Sequence, residues 1–283
     1  MDKFKINGPS KIRGEVSISG SKNAALPILA ASLLFDKNVT IKNLPRVKDI
    51  DTMLNLLKSL GKKISFKNNK KIATISKGKK NNFFAPYSLV KTMRAGILVL
   101  GPLLAKNKKA KVSSPGGCSI GVRPIDIHLK AISKLGVKIQ IEKGYVNAKA
   151  QKGLVGSEIR FSKISVGATE NSILAACLAK GETIIKNCAI EPEIKDLTNF
   201  LKTAGAKIKW IGKRTLKIEG VKTLKSITYS IMNDRIEAGT FCVAACLNSG
   251  NLKIKNFEPK IINTEINILK KIGAKIKTTT NTI

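Results

Sequence analysis

Four stretches of the chain share one pattern of apolar and polar positions. "NLLKSLGKKI", "HLKAISKLGVKI", "TNFLKTAGAKI" and "INILKKIGAKI" set leucines and isoleucines three and four apart among lysines, stop at a glycine and run on into a short strand-like segment. That spacing predicts an amphipathic helix with one buried face, closed by a glycine in the left-handed conformation. The glycines are Gly61, Gly136, Gly205 and Gly273, with steps of 75, 69 and 68 residues, so a whole α/β unit fits within each period.

Upstream of each pattern lies a helix of another kind: "SKNAALPILAASLL", "VKTMRAGILVLGPLLA", "VGATENSILAACLA" and "DRIEAGTFCVAACLN". These are apolar nearly all round and rich in Ala, Gly and Ser, which predicts close packing and burial, while the lysine-rich helices face water. Strand-like stretches follow them ("VTIKNLP", "AKVSSPG", "ETIIKNC", "LKIKNFEP"). The expected fold is α/β (α+β), built from units that read strand, helix, strand, helix, strands; the competing explanation is a chance alternation of helices and strands.

With 283 residues and 43% hydrophobic content the chain can fill one large core or two ordinary ones, which excludes a disordered protein. Its formal charge of +34 points first to a polyanion. The distribution argues otherwise: lysines are scattered through every segment, aromatic content is 5% and no nucleic-acid-binding signature is present, so no nucleic-acid partner is expected and small anions are the natural ligands. No signal-peptide core and no run of about 18 apolar residues is present, so a cytoplasmic protein without a membrane partner is expected. Five cysteines without a CxxC pair disfavour disulfides and zinc. Cys177, Cys188, Cys242 and Cys246 read as small buried hydrophobes.

Candidate chemistry gathers at the starts of the Ala-rich helices. In "SGSKNAALP", Ser21 suits an N-cap and Lys22 and Asn23 stand beside the positive helix end, either an anion site or merely a capped helix with a solvated lysine. Pro27 must lie in a late first turn or kink the helix. Arg94 opens the second such helix in a chain with 45 lysines and only 7 arginines, and a guanidinium can clamp an oxyanion bidentately or cap a neighbour. "SPGGCSIGVRPIDIH" puts Cys118 in a Gly-bracketed loop near cations that would lower its pKa, followed by Arg123, Asp126 and His128. A Cys–His pair and a His that merely caps the next helix both remain open. Lys163 and Ser165 precede the third helix; Asp234 and Glu237 begin the fourth, where Glu237 reads as a dipole partner. No P-loop, GxGxxG or paired-metal cluster is present.

Taken together, "SGSKNAALPILAA", "APYSLVKTMRAGILVLGPLLA", "PGGCSIGVRPIDIH", "KISVGATENSILAA" and "NDRIEAGTF" resemble the UDP-N-acetylglucosamine 1-carboxyvinyltransferases, enolpyruvyl transferases of peptidoglycan precursor synthesis. The sister shikimate-pathway enolpyruvyl transferases lack the cysteine loop. The resemblance implies βαβαββ units in an inside-out barrel arrangement, and transfer of the enolpyruvyl group of phosphoenolpyruvate to the 3-hydroxyl of UDP-N-acetylglucosamine with release of phosphate, without metal or cofactor. It implies that Cys118 is the general acid, that Lys22 is catalytic and holds phosphoenolpyruvate with Asn23, and that Arg94, Arg123, Pro124, Ile125, Asp126, Ile127, Lys163, Ile164, Ser165 and Val166 grip the sugar nucleotide. It also implies a division into residues 1–21, the first strand of an incomplete lobe; 22–231, a complete lobe of three units with the Cys loop at 113–121; and 232–283, one further unit. The family has six units where four are visible. The expectations that follow are an impaired activity for this chain alone, helix faces left exposed in the incomplete lobe, and a complementing chain as partner. The alternative is a non-catalytic UDP-sugar-binding module or one half of a split enzyme.

Overall fold

The computed structural model describes residues 3–8, 10–79, 82–114, 125–247 and 250–283. It divides into two compact units, Lys22–Met232 and the combination of Met1–Ser21 with Asn233–Ile283.

In chain order, β1 (Arg13–Ser17) precedes α1 (Lys22–Ala31), β2 (Val39–Lys42), α2 (Lys48–Ser59) and the hairpin of β3 (Lys62–Lys67) and β4 (Ile72–Lys77). Next come β5 (Phe84–Ala85), α3 (Tyr87–Val90), a 3-10 stretch over Arg94–Val99 that runs into α4 (Leu100–Asn107), then β6 (Lys109–Ser113), α5 (Asp126–Lys134), β7 (Lys138–Glu142) and β8 (Tyr145–Lys149). A third round comprises β9 (Glu158–Arg160), α6 (Val166–Ala176), β10 (Glu182–Lys186), α7 (Pro192–Thr203), β11 (Lys207–Gly212) and β12 (Thr215–Glu219). The chain continues through β13 (Ile227–Ser230), α8 (Arg235–Leu247), β14 (Asn251–Lys255) and α9 (Asn263–Lys271).

The larger unit holds three four-stranded sheets of one topology: β13-β2-β4-β3, β5-β6-β8-β7 and β9-β10-β12-β11. In each, the leading strand pairs parallel with the second and the rest are antiparallel. The first sheet takes its leading strand from far along the chain, with Ile227 of β13 opposite Val39 of β2. The smaller unit does the same at shorter reach, β1 pairing parallel with β14 from Arg13 opposite Asn251.

Helix ends follow the sequence pattern. Gly61, Gly136, Gly205 and Gly273 have φ of +95°, +84°, +97° and +102°, and each N–H closes the last helical turn on the carbonyl three residues back. A second repeated device uses asparagine. Asn43 and Asn187, just past β2 and β10, adopt φ near +60° and donate their side-chain N–H to Ile231 O and Phe161 O, each at 3.0 Å. Those bonds fasten the end of the second strand of a sheet to the chain just past its leading strand.

Ala24 to Ala31 of α1 and Ala168 to Ala176 of α6 are buried without exception, inside one continuous core of the larger unit. Pro27 is accommodated within α1 as a buried residue. The amphipathic partners bury one stripe only, Ile50, Met53, Leu54, Leu56 and Leu57 in α2. The second Ala-rich segment departs from the expectation of one helix: it is split into α3, the 3-10 stretch and α4. A Cβ on Gly96 would lie 3.0 Å from Val90 Cγ1, so the chain folds back on itself there, and Pro102 in the first turn of α4 has no N–H to continue a helix from upstream.

One expectation is corrected in the smaller unit, and another is extended. Cys246 is exposed while Cys242 is buried. Glu237 does more than face the helix end: its Oε2 accepts from Ser19 N at 3.0 Å and Ser19 Oγ at 2.5 Å, while Asp234 Oδ1 caps α8 through Ile236 N at 2.8 Å. The helix α8 has the composition of α1 and α6 yet buries only Ala238 and Cys242. Its neighbours in this unit, β14, α9 and the turn at Pro259–Ile262, cover one side, and Val243 and Leu247 stand 47% and 81% exposed. Replacing both by lysine is expected to change unfolding free energy in urea by less than about 0.5 kcal/mol, whereas Ala238→Asp on the covered side should cost several times that.

Candidate functional site

The start of α6 is built by its cap. Ser165 Oγ accepts from Ala168 N at 3.3 Å, and the Thr169 hydroxyl donates to Ser165 O at 2.8 Å while accepting from Ala189 N at 3.1 Å. The cap fixes the direction of the segment Lys163–Val166, in which Lys163, Ile164 and Val166 are exposed. A helix start presents N–H groups and the positive dipole end, a natural seat for phosphate oxygens.

One turn further along α6 is a side chain that the sequence pattern does not single out. Asn171 is fully buried; its Nδ2 donates to Ile97 O at 3.0 Å and its Oδ1 accepts from Gly101 N at 2.8 Å. Those two partners fix the amide's orientation, so the 3.3 Å contact of Nδ2 with His128 Nδ1 is one in which the imidazole accepts. His128 is 4% exposed, and burial pushes its pKa down to about 4, with the Arg94 guanidinium adding to the shift and Asp126 opposing it. The ring is neutral at physiological pH and carries its proton on Nε2. It is a buried member of α5, so the alternative in which it caps that helix is not met. Gly167 makes room for it: a Cβ there would lie 3.0 Å from His128 Cε1.

Asn171 thus ties together the segments that carry three groups of sequence-selected residues. Arg94 lies three residues before Ile97, Asp126 two before His128, and Val166 five before Asn171. Ile125 and Ile127 are half-buried against the core, and Asp126 is exposed and pairs with Lys130 at 3.5 Å. Cys118, Arg123 and Pro124 lie outside the described residues, as does most of the Cys loop.

Lys22 is the first residue of α1 and forms an ion pair with Asp49 in the first turn of α2 at 2.9 Å. Asn23 beside it is exposed. Sequence reading selected Lys22 but not Asp49, which is 27 residues away and looks like an ordinary helix-start acid. A further acid lies in α6: Glu170 is buried, and burial, followed by Glu193 and Glu191 at the start of α7, raises its pKa well above its ordinary value. Cys177 and Cys188 are buried and their thiols are pushed up to about 12 and about 11, which keeps both unreactive. Among the described residues no three His, Cys, Asp or Glu are placed to hold a metal ion, and no helix is long and apolar enough to cross a membrane.

Three repeated sheets around buried Ala-rich helices, with cations at the helix starts, define a class of enzyme. The chain matches the EPSP synthase family (3-phosphoshikimate 1-carboxyvinyltransferase) over residues 6–283 and belongs to it. Its relatives within that class are named UDP-N-acetylglucosamine 1-carboxyvinyltransferase: one from Pelagibacter ubique (strain HTCC1062) is 64% identical over 283 residues, all of this chain and 67% of the relative. Another, from Psychrobacter sp. (strain PRwf-1), is 48% identical over 280 residues, 98% of this chain and 64% of the relative. The chain therefore spans about two thirds of the length of the curated relatives it matches. Among solved structures, the enolpyruvyl transferase NikO from Streptomyces tendae has a TM-score of 0.84 at 20% identity, covering 98% of this chain and 66% of that one. An EPSP synthase from Acinetobacter baumannii gives 0.75 at 20% identity, covering 97% and 63%. The fold is accordingly the inside-out α/β fold of the enolpyruvyl transferases.

Two tests probe the tie at Asn171. A Cβ on Gly101 would lie 2.5 Å from Asn171 O and 2.6 Å from its Oδ1, so Gly101→Ala should lower unfolding free energy by about 1–3 kcal/mol in a denaturant titration. His128 has a depressed folded pKa, so the unfolded chain binds the extra proton between about pH 4 and 6.5. Its contribution is complete above pH 6.5 and is lost as pH falls toward 4. The stability difference between wild type and His128→Gln should accordingly shift by up to about 3 kcal/mol across that window.

Proposed function

We propose that this chain supplies the sugar-nucleotide side of an enolpyruvyl transferase that joins phosphoenolpyruvate to the 3-hydroxyl of UDP-N-acetylglucosamine, in the cytoplasm. The observation that carries the reading is the buried Asn171 amide, which holds the backbone of Ile97 and Gly101 and the ring of His128. It sets Arg94, the start of α5 and the start of α6 within a turn or two of one point. The likeness to relatives of that name along the whole chain supports the choice of nucleotide.

In this reading Arg94, Arg123 and Lys163, with the N–H groups of Ser165 and Val166, meet the diphosphate, and Pro124 to Ile127 flank the uridine. Ile164 lies alongside. Charge-assisted contacts of this kind are each stronger than neutral ones and favour a site that excludes water on closing. Lys22 and Asn23 take the phosphoenolpyruvate anion; its arrival would exchange the Asp49 carboxylate for a substrate oxyanion on the Lys22 ammonium. The sugar 3-hydroxyl gives its proton to a base carried by the complementing chain and adds to C2 of phosphoenolpyruvate, while Cys118 gives its proton to the methylene carbon and is left as the thiolate. The C2–O bond to phosphate then breaks, phosphate leaves with that electron pair, and the methyl carbon returns a proton to the Cys118 thiolate, which restores the carbon–carbon double bond in the product. No metal or cofactor is needed for either step. A complementing chain belongs to the proposal as the partner that would accompany this one.

Calorimetry with UDP-N-acetylglucosamine is expected to show binding, weakened about 10- to 100-fold by Arg94→Ala. Phosphate release from the two substrates is expected to be negligible for this chain alone, several orders of magnitude below a full-length relative under the same conditions, and turnover comparable to that relative overturns the reading of the chain as one side of the enzyme. Absence of nucleotide binding to folded protein overturns the reading. Binding that persists without phosphate release even when the complementing chain is supplied reduces it to a sugar-nucleotide-binding module.

A further inference from the structure

Away from these helix starts, the beginning of β3 carries an arrangement that enolpyruvyl transfer does not use. Lys62 donates its Nζ to Phe35 O at 2.7 Å, just past the 3-10 turn Ser32–Leu34. Asp36 next to it is shared by two other lysines, accepting from Lys77 at 3.0 Å and Lys106 at 2.7 Å. Lys79 completes the ring of charge around a cavity of about 90 Å³, whose apolar wall includes Leu33, Pro102 and Leu103. Four lysines, from β3, β4, the segment after it and α4, therefore line one cavity together with a single carboxylate, which two of them contact. That volume is several times what one water needs.

We propose that Lys62 is a modification site, acylated by small anionic acyl donors of the acyl phosphate class. Lys77, Lys79 and Lys106 draw the doubly charged donor to the cavity mouth. The Lys62 amine, half-buried and repelled by its cationic neighbours, gives up its proton readily: burial first, then Lys106 and Lys77 against the opposing pull of Asp36, push its pKa down to about 8. In the step, the Nζ lone pair attacks the acyl carbon and a C–N bond forms. The C–O bond to phosphate breaks, phosphate leaves with that electron pair, and the proton shed by nitrogen passes to water. The amide N–H still serves Phe35 O, the acyl methyl meets Leu33 and Leu103, and a charge that was costly to bury is removed.

The test is incubation of the full chain with acetyl phosphate from pH 6.5 to 10, with site-by-site acetylation rates from peptide mass spectrometry. At pH 7, Lys62 is expected to react about tenfold or more faster than the exposed Lys37 and Lys152. Its rate should level off above about pH 8, while that of an ordinary lysine amine climbs toward pH 10. Asp36→Asn should move the Lys62 midpoint down and Lys106→Gln should move it up, each checked for retained fold by circular dichroism. Lys62→Arg should remove the fast site and leave the others unchanged. A folded wild-type chain in which Lys62 reacts no faster than Lys37 overturns the proposal, as does a midpoint that moves in neither variant.

Discussion

Inside the larger unit, the Asn171 amide takes the carbonyl of Ile97 and the N–H of Gly101, two backbone groups at a helix break where no water reaches. Left without partners, each would cost about 1–3 kcal/mol. The break itself is what places Arg94 at the start of a 3-10 stretch instead of inside a continuous helix. One side chain thus solves the energetic problem of an interrupted buried helix and, in doing so, sets the position of a cation. Its third contact, to His128, passes the same constraint to α5.

The close approach depends on what is absent from the side chains. Gly101 lies against Asn171 where any Cβ would overlap it, and Gly167 lies against the His128 ring. Ala and Gly along α1, α4 and α6 let the helices come near enough for short polar contacts to span them, while Ile28, Leu29, Ile173 and Leu174 fill the remaining space. Each such aliphatic side chain contributes about 1.5–3 kcal/mol by burial. Stability therefore comes from the helix bodies, and the helix starts can carry polar groups without loss of the core. The cost of gathering cations there is carried by packing elsewhere.

What could be read from the sequence is what repeats locally. Gly61, Gly136, Gly205 and Gly273 announce helix ends because the left-handed conformation selects glycine whatever the surroundings. Asn43, Asn187 and Asn256 carry the same information in "IKN", "IKN" and "IKN" contexts, in a conformation that asparagine tolerates better than other side chains. Lys22, Arg94 and Lys163 stood out because they precede apolar helices. Asp49 and Asn171 did not, since their roles are set by partners 27 and at least 43 residues away. Cys246 and α8 show the limit from the other side: composition tells what a helix can bury, and the elements around it decide what is buried.

The excess of lysine looks at first like an electrostatic handicap. Acids on the surface answer it locally: Asp36, Asp126, Glu158, Glu182 and Glu219 each sit against a lysine, and Asp36 and Glu15 against two. Exposed pairs like these add little stability. Their effect is to divide the positive charge unevenly, neutralising it along the sheets and leaving it dense where lysines outnumber acids. One such place is the cavity beside Lys62, where four lysines share Asp36 as the lining carboxylate. With 18 acids to 52 basic residues, clusters of lysine around a single acid follow from composition, and burial then decides how far an amine within one departs from a plain ammonium.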